Sequence, residues 1–220
     1  MRFYDPQRGA VRVDGRDLRE HEVRVMRRRM GLVLQDVFLF SGTIEGNLRL
    51  ADGDLGREAL VRAVGDVGAL DFVERLPGGL AAPMRERGAT LSGGQRQLLA
   101  FARTLAADPD VLLLDEATAS VDTQTEALIQ KALQRLMHGR TTLVIAHRLS
   151  TIQNVDRIIV LHHGQIREVG THAELVELGG IYHRLYQLQY FGDRAAKAAA
   201  RADDWADAEA PALDSRLDFG

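Results

Sequence analysis

Apolar residues recur at helical spacing near the middle of the chain. Leu98, Phe101, Ala102 and Leu105 follow the i, i+3, i+4, i+7 pattern of a helix that packs one face against a core. The segment before them, LSGGQRQ from Leu91 to Gln97, places a serine and two glycines where such a helix begins. The pattern therefore predicts a packed helix whose N-terminus is lined by small residues.

A short, uniformly apolar run follows this helix. Val111 to Leu114 contains no polar residue, which is typical of a buried parallel strand that helices cover on both faces. Asp115 and Glu116 come directly after it. The sequence thus places two carboxylates at the carboxyl edge of a predicted sheet, where open α/β folds bind their ligands.

The rest of the chain alternates between strand and helix patterns. In the first half, strands are predicted at Ala10–Val13 and Gly31–Leu34, a short helix carries Val23, Met26 and Met30, and a helical stretch runs from Thr43 to Leu76. In the second half, a helix with Ile129, Ala132, Leu133 and Leu136 on one stripe precedes a buried strand at Thr141–Ala146, a hairpin at Arg157–Gly170 and two closing helices up to Gln189. These elements predict an α/β fold with a mostly parallel sheet flanked by helices.

The central stretch suits phosphate and metal chemistry. Ser92 can cap its helix, while Gly93 and Gly94 leave backbone N–H groups and the positive helix end open to a polyphosphate. Asp115 offers a hard carboxylate for Mg²⁺, and Glu116 can orient or deprotonate an attacking water. Each feature alone has a structural alternative, because glycines often only make a turn and an Asp-Glu pair often only begins a loop. Their occurrence together, in this order, favours the chemical interpretation.

The runs LSGGQRQ and VLLLDEATASVD (Val111 to Asp122) resemble the signature motif, Walker B strand and D-loop of an ATP-binding cassette (ABC) ATPase. The resemblance extends over about Met1 to Gln189. It implies a P-loop NTPase-type fold with an inserted helical lobe at about residues 41–108, and two cassettes that meet head to tail around ATP. Ser92, Gly93, Gly94 and Gln95 are then implied to bind nucleotide in trans.

The resemblance also assigns residues that act in cis. Gln35, in the run GLVLQDVFLFSGTIEGN, is similar to the Q-loop glutamine that reaches towards Mg²⁺ and the water, and Asp115 is implied as the other Mg²⁺ ligand. Glu116 is implied as the catalytic carboxylate. His147, in AHRLSTI, resembles the switch histidine that contacts the γ-phosphate, although an isolated histidine after a strand is more often structural. Asp122 is expected along the dimer seam.

Three further runs, RFYDP, QDVFLFSGTI and AHRLSTI, are similar to those of exporter-type cassettes. That similarity implies ATP and Mg²⁺ as ligands, a second cassette and a transmembrane domain as partners, and a location at the cytoplasmic face of the inner membrane. The cluster of Phe38, Leu39 and Phe40 could be part of the core or could form a groove for a partner's helix. The pattern alone leaves both open.

One motif of the family is absent from the sequence. A P-loop reads GxxxxGK[ST], yet neither Lys131 nor Lys197, the only lysines, follows a glycine. Met1–Gly9 resembles the end of the helix that follows the P-loop, so we expect the first strand and the P-loop to be missing through truncation. The isolated chain is therefore predicted to bind ATP weakly and not to turn it over.

Composition limits the classes of partner that the chain is expected to bind. The net charge of -3 gives no basic field for nucleic acid, and the absence of cysteine excludes disulfides. No apolar run approaches the roughly 20 residues that span a bilayer, so a membrane role is expected to come through a partner. Residues 192–220 are Ala-rich and charged, which predicts a disordered or weakly helical tail after a partial cassette domain at residues 1–191.

Two other functional classes fit parts of the sequence. One is a non-catalytic module that lends only its signature motif to a complete cassette in a heterodimer. The other is a soluble ABC ATPase of DNA repair or chromosome maintenance, which predicts coiled-coil heptads or a basic surface between the Q-loop and the signature. Thr43 to Thr90 shows neither, so the sequence disfavours this second class.

Overall fold

The computed structural model describes residues 1–50, 53–85, 88–115, 123–145, 152–188 and 190. The chain forms two compact units, Met1–His147 and Arg148–Gly220. Within these described ranges, no helix is both long enough and apolar enough to cross a bilayer.

A parallel sheet organises the first unit. The strands described in this unit are, in chain order, β1 (Arg12–Val13), β2 (Arg16–Asp17), β3 (Met30–Val33), β4 (Gly42–Thr43), β5 (Pro83–Met84), β6 (Val111–Asp115) and β7 (Thr141–Ile145). Strands β3, β6 and β7 are parallel with β6 in the centre, while β1–β2 and β4–β5 are small antiparallel pairs. The predicted mostly parallel sheet around the strand that ends in Asp115 is thus confirmed.

Six α-helices accompany these strands in the described part of the first unit. They are α1 (Val23–Arg28), α2 (Ile44–Leu48), α3 (Arg57–Asp66), α4 (Leu70–Arg75), α5 (Gly93–Ala106) and α6 (Thr123–Met137). Helices α2 to α5 fall within the range expected for the helical lobe. The predicted helical stretch from Thr43 to Leu76 therefore consists of three short helices rather than one long one.

One face of the sheet forms the core. Leu112 and Leu114 of β6 are almost completely buried and belong to one apolar cluster with Phe101 of α5 and with Ile129 and Leu136 of α6. Burying each such side chain stabilises the fold by about 1.5–3 kcal/mol. The predicted apolar faces of α5 and α6 are confirmed, and they fix these two helices against the strand that carries Asp115.

The opposite face of the sheet differs from the prediction. Val111 and Leu113 of β6 are only partly buried, and on β7 Leu143 is 61% and Ile145 56% exposed. The expectation of strands covered on both faces is therefore wrong for the described residues. The reason is geometric: alternate side chains of a strand point to opposite faces, and the helical core contacts only the face of Leu112 and Leu114.

Two local predictions near the N-terminus are also corrected. Residues 1–9 form bends rather than the end of a helix, because a short stretch interrupted by Pro6 cannot propagate helical hydrogen bonds. Met30 belongs to β3 and not to the preceding helix. The carbonyl of Arg29 accepts from the N–H groups of Asp110 and Val111, both at 3.0 Å, which draws the chain into the sheet one residue before Met30.

The second unit contains the predicted hairpin and closing helices. Strands β8 (Ile158–His162) and β9 (Gln165–Gly170) pair antiparallel through a two-residue turn at His163 and Gly164, both with positive φ, which suits a tight hairpin. Helix α7 (His172–Leu178) and a helical segment at 181–188 follow. The small core of this unit is formed by Ile158, Val160, Leu175 and Tyr182.

Candidate functional site

A reciprocal pair of hydrogen bonds begins helix α5. The Gln95 N–H donates to Ser92 Oγ at 3.2 Å, and the Ser92 N–H donates to Gln95 Oε1 at 3.0 Å. This is a capping box, in which each residue satisfies a backbone N–H that the helix leaves without a partner. The prediction that Ser92 caps the helix is confirmed, and the role of Gln95 in the same cap is an additional finding.

The two glycines between these residues are the first two positions of α5. Their N–H groups have no acceptor four residues earlier within the helix, because a helix leaves its first N–H groups unsatisfied. Ser92 beside them is exposed. The helix is 14 residues long, so its dipole adds a partial positive charge at this end. Ser92 and the partly exposed Gly93 are therefore accessible to an anionic group from another molecule, whereas Gly94 is buried.

The carboxyl edge of the sheet carries the second group of predicted residues. Asp115 is the last residue of β6, partly buried, and lies opposite Ile145 of β7. On the other side of β6, Leu114 lies opposite Val33 of β3, and the exposed Gln35 comes two residues after Val33. Parallel strands end at the same edge, so the register brings Asp115 and Gln35 to neighbouring positions of that edge.

The donor set at this edge fits a hard cation. A carboxylate and a side-chain amide carbonyl are oxygen ligands of the kind that Mg²⁺ takes, usually one or two from the protein with water and phosphate completing the shell. Among the described residues there is no group of three or more His, Cys, Asp or Glu side chains that could hold a metal ion. Asp115 and Gln35 are thus compatible with a Mg²⁺ site that a nucleotide completes.

Three predicted residues lie outside the described residues, namely Glu116, Asp122 and His147. In sequence, Glu116 directly follows the end of β6, and His147 comes two residues after the end of β7. Their roles as catalytic carboxylate, seam residue and γ-phosphate contact stay predictions.

The structure resolves the question left open for the aromatic cluster. Leu39 is fully buried in the core, whereas Phe38 is 41% and Phe40 50% exposed. Their rings meet edge to face with centroids 4.8 Å apart. Leu39 is therefore part of the core, and the two phenylalanines form an exposed apolar pair. A groove for a partner's helix at this position stays a prediction.

Sequence analysis missed the residues beneath this pair. Asn47 of α2 is buried and hydrogen-bonds the backbone of Phe40, and Arg103 of α5 donates to the carbonyl of Phe38. A polar residue inside a predicted helix usually lies on the solvent-exposed face.

Comparison with known proteins agrees with the geometry. The family model described as "ABC transporter" matches residues 1–119. The chain is 52% identical over 189 residues to the probable multidrug resistance ABC transporter ATP-binding/permease protein YheH of Bacillus subtilis (strain 168), covering 86% of this chain and 28% of that protein. It is 49% identical over 189 residues to an ATP-dependent lipid A-core flippase of Chromobacterium violaceum, covering 86% of this chain and 32% of the flippase.

A solved structure gives the same result. The structure of a bacterial Atm1-family ABC exporter with ATP bound matches with a TM-score of 0.79 and 40% identity, covering 86% of this chain and 33% of that chain. The chain thus spans about a third of the length of the proteins it matches. With the signature run, the Walker B strand and the parallel sheet in agreement, the chain belongs to the ABC transporter family.

Proposed function

We propose that this chain is the ATP-binding and hydrolysing part of an ABC exporter, in which ATP hydrolysis drives transport across a membrane. The observation that carries the proposal is the capped N-terminus of α5, where Ser92 is exposed and Gly93 partly exposed, so that this helix end can meet an anion supplied by another molecule. A nucleotide bound by this same chain would have to lie opposite this helix end. Because Ser92 at the helix end faces solvent, the site instead suits a nucleotide held by a second cassette.

The proposed reaction uses two surfaces. Ser92, Gly93, Gly94 and Gln95 hold the terminal phosphates of ATP that is bound to the partner cassette. Asp115 and Gln35 hold Mg²⁺, which neutralises phosphate charge when bound. Glu116 orients the attacking water and takes its proton, His147 contacts the γ-phosphate, and Asp122 lies along the seam between cassettes.

The remaining partner in this proposal is a transmembrane domain. The name of the Bacillus subtilis relative combines an ATP-binding part with a permease, and the chain matches only about a third of the length of its relatives. We place the chain at the cytoplasmic face of the inner membrane, attached through such a domain. We assign the exposed pair of Phe38 and Phe40 to this contact, because covering apolar rings with a partner removes them from water and lowers the free energy.

The sequence of the chain lacks GxxxxGK[ST], and we propose that it binds ATP weakly and does not turn it over by itself. In P-loop NTPases the amides and lysine of that motif form most of the phosphate cradle. We expect the ATPase rate of the purified chain to equal that of its Glu116→Gln variant. A rate that depends on Glu116 would contradict this part of the proposal.

A fusion tests the proposal as a whole. The segment of the Bacillus subtilis relative that lies before its matching region, including its own GxxxxGK[ST] motif if it carries one, is joined ahead of Met1. We expect the fusion to hydrolyse ATP and to lose that activity with Glu116→Gln or on replacing the motif lysine by alanine. A fusion that binds ATP but shows no hydrolysis dependent on Glu116 would overturn the proposed enzymatic role.

A second candidate function is a non-catalytic module that only donates its signature motif to a complete cassette. The intact capping box that fixes the start of the signature helix favours it. Because the chain has no cysteine, Ser92→Cys provides a unique site for cross-linking to an added complete cassette. Cross-linking that requires ATP on the partner would support this function, and cross-linking that is indifferent to ATP would exclude it.

A further inference from the structure

The helical segment at 181–188, hereafter helix 181–188, is held to the second unit mainly by its first turn. Tyr182, in that turn, is buried in the small core of the unit. Further along, Tyr186 is only partly buried, and Leu185 and Leu188 are exposed. A helix with so few buried apolar side chains gains little free energy from packing, so its attachment depends on the polar contacts of its first residues.

Glu168 of β9 supplies the contact at the start of this helix. Its Oε1 accepts from the Ile181 N–H at 2.5 Å, and its Oε2 accepts from the Tyr182 N–H at 3.0 Å. A helix leaves its first N–H groups without an intrahelical acceptor, and its N-terminus carries a partial positive charge. One carboxylate therefore satisfies two backbone donors and places a negative charge at the favourable end of the helix.

The hairpin directs this carboxylate towards the helix. Glu168 lies opposite Val160 of β8, and Val160 is buried in the same core as Tyr182. Cross-strand partners share one face of a hairpin, so Glu168 lies on the face that the helix covers. A carboxylate on a covered face is costly unless it is hydrogen-bonded, and this links the position of Glu168 to that of the helix.

Two imidazole contacts join the same turn to α7. Nδ1 of His172 lies 2.7 Å from the Tyr182 hydroxyl oxygen, and Nδ1 of His183 donates to the Val176 carbonyl at 2.6 Å. Each is a single hydrogen bond, whereas the Glu168 carboxylate accepts two. Because hydrogen bonds to a charged group are stronger than neutral ones, Glu168 makes the larger polar contribution to the attachment.

Two glycines connect α7 to helix 181–188. Gly179 ends α7 with a φ of 67°, which glycine adopts without strain. Gly180 follows, and its carbonyl accepts from the Arg184 N–H at 3.2 Å. A Cβ at Gly180 would lie 2.8 Å from Cδ of Glu168 and closer still to Oε1. Gly180 therefore leaves the space that the carboxylate occupies and, with Gly179, makes a connection that carries no side chains.

We propose that Glu168 and Gly180 form a latch, and that Gly179 and Gly180 form the hinge on which helix 181–188 detaches while the β8–β9 hairpin and α7 stay folded. Withdrawing the carboxylate returns two N–H groups to water and leaves the two imidazole contacts and Tyr182 as the attachment of the first turn. Hinges of this kind are a few residues at element ends that absorb a change in φ and ψ. Because the latch and the hinge lie wholly within the second unit, neither depends on the proposed function.

Amide hydrogen exchange, measured by NMR on the 220-residue chain, tests this latch. In Glu168→Ala, which removes both bonds, we expect amides at 184–188 to exchange at least about ten-fold faster; in Glu168→Gln, which keeps one carbonyl acceptor, the factor should be smaller. Amides of β8, β9 and α7 should change by less than about two-fold, because the opening is local. Glu177→Gln, on an exposed position of α7, is the matched control and should change none of these rates.

Gly180→Ala tests the same latch from the other side. Gly180 does not have a left-handed φ, and the three atoms nearest to an added Cβ all belong to Glu168, so the substitution acts by displacing the carboxylate. Alone it should speed exchange at 184–188 about as much as Glu168→Ala does. Added to Glu168→Ala, it should change the rates by less than about two-fold, because the clashing group is already gone.

Three results would overturn the latch and hinge. They are unchanged rates at 184–188 in Glu168→Ala, equal acceleration throughout the hairpin and α7, and fully additive effects of Glu168→Ala and Gly180→Ala. If Glu168→Ala does not fold, Glu168→Gln and Gly180→Ala decide between local and general opening by the same comparison. None of these measurements involves ATP, so their outcome is separate from that of the fusion experiment.

Discussion

At the scale of single residues, Gly31 shows how tightly β3 packs against α5. A Cβ at this position would lie 2.6 Å from Thr104 Cγ2 and 2.9 Å from both Leu112 Cδ2 and Pro109 Cγ. All three neighbours are held by the core or by a proline ring, so none can move away freely. We expect Gly31→Ala to lower the free energy of unfolding by about 1–3 kcal/mol, as overpacking does elsewhere, measured by urea denaturation.

Two companion variants make this prediction specific. Gly65 of α3 has open space around its Cβ direction, so Gly65→Ala should raise the free energy of unfolding by about 0.5–1 kcal/mol. Thr104→Ser removes the methyl group nearest to Gly31 and should recover part of the loss when combined with Gly31→Ala. Equal stability of Gly31→Ala and the unmodified chain would show that β3 and α5 can separate without cost.

A second residue-scale prediction concerns pH. Side-chain hydrogen bonds from Arg19, with Nη2 to Oδ2 at 2.6 Å, and the Arg19 N–H at 2.9 Å lower the pKa of Asp17 from 3.8 to about 2. The folded pKa lies below the unfolded one, so this contribution is complete above about pH 4 and is lost as pH falls towards 2. Carboxyl NMR titration should find the midpoint of Asp17 near 2, and Arg19→Met should raise it partway to 3.8. Arg24→Met, on an exposed position of α1, should leave the midpoint unchanged.

At the scale of elements, two helices begin with the same capping box but serve different ends. Ser92 and Gln95 cap α5, and Thr171 and Glu174 cap α7. Removing either cap hydroxyl should destabilise its helix by about 1 kcal/mol, so Ser92→Ala and Thr171→Ala should speed exchange of first-turn amides to a similar degree. Hydrogen exchange resolved by NMR measures this directly.

Comparing Ser92→Ala with Thr171→Ala separates an effect on helix stability from an effect on ATP hydrolysis. Only Ser92→Ala should also reduce ATP hydrolysis by the fusion that carries a P-loop, because only α5 is proposed to face nucleotide. An equal loss of hydrolysis in Thr171→Ala would mean that the effect comes from helix stability and not from phosphate contact.

At the scale of the whole molecule, the two faces of the central sheet differ. Leu112 is fully buried against the helices, whereas Leu143 on the neighbouring strand is 61% exposed. Leu112→Ala should therefore cost about 2–5 kcal/mol in chemical denaturation, and Leu143→Ala within about 0.5 kcal/mol. Because both changes delete the same atoms from adjacent strands, comparable losses would show that the face of Leu143 is covered in solution.

Local periodicity explains why much of the fold could be predicted. The stripe of Ile129, Ala132, Leu133 and Leu136 lies on one helix face whatever surrounds it, and all four are buried. Likewise a short apolar run bounded by a carboxylate specifies the strand that ends in Asp115. The candidate site was predicted in the same way, since Ser92, Gly93 and Gly94 are proposed to act through the backbone geometry of the helix they begin.

Contacts between distant positions could not be predicted in this way. The Glu168 carboxylate accepts from the N–H groups of Ile181 and Tyr182, at 2.5 and 3.0 Å, and so caps a helix that begins more than ten residues later. No spacing rule connects these positions. Asn47 was missed for the same reason, because its hydrogen bonds to the Phe40 backbone depend on how the loop around Phe40 folds against α2.

By itself, the sequence determined most of the strands and helices and the family to which the chain belongs, and it is the basis for the proposed phosphate and metal contacts. These follow from side-chain spacing and from the local geometry of helix ends. Tertiary structure alone decided which apolar residues are buried: Leu39 but not Phe38 or Phe40, and Leu112 but not Leu143. The physical reason is that burial is a property of the space between elements, which depends on how they pack and not on the pattern within any one of them.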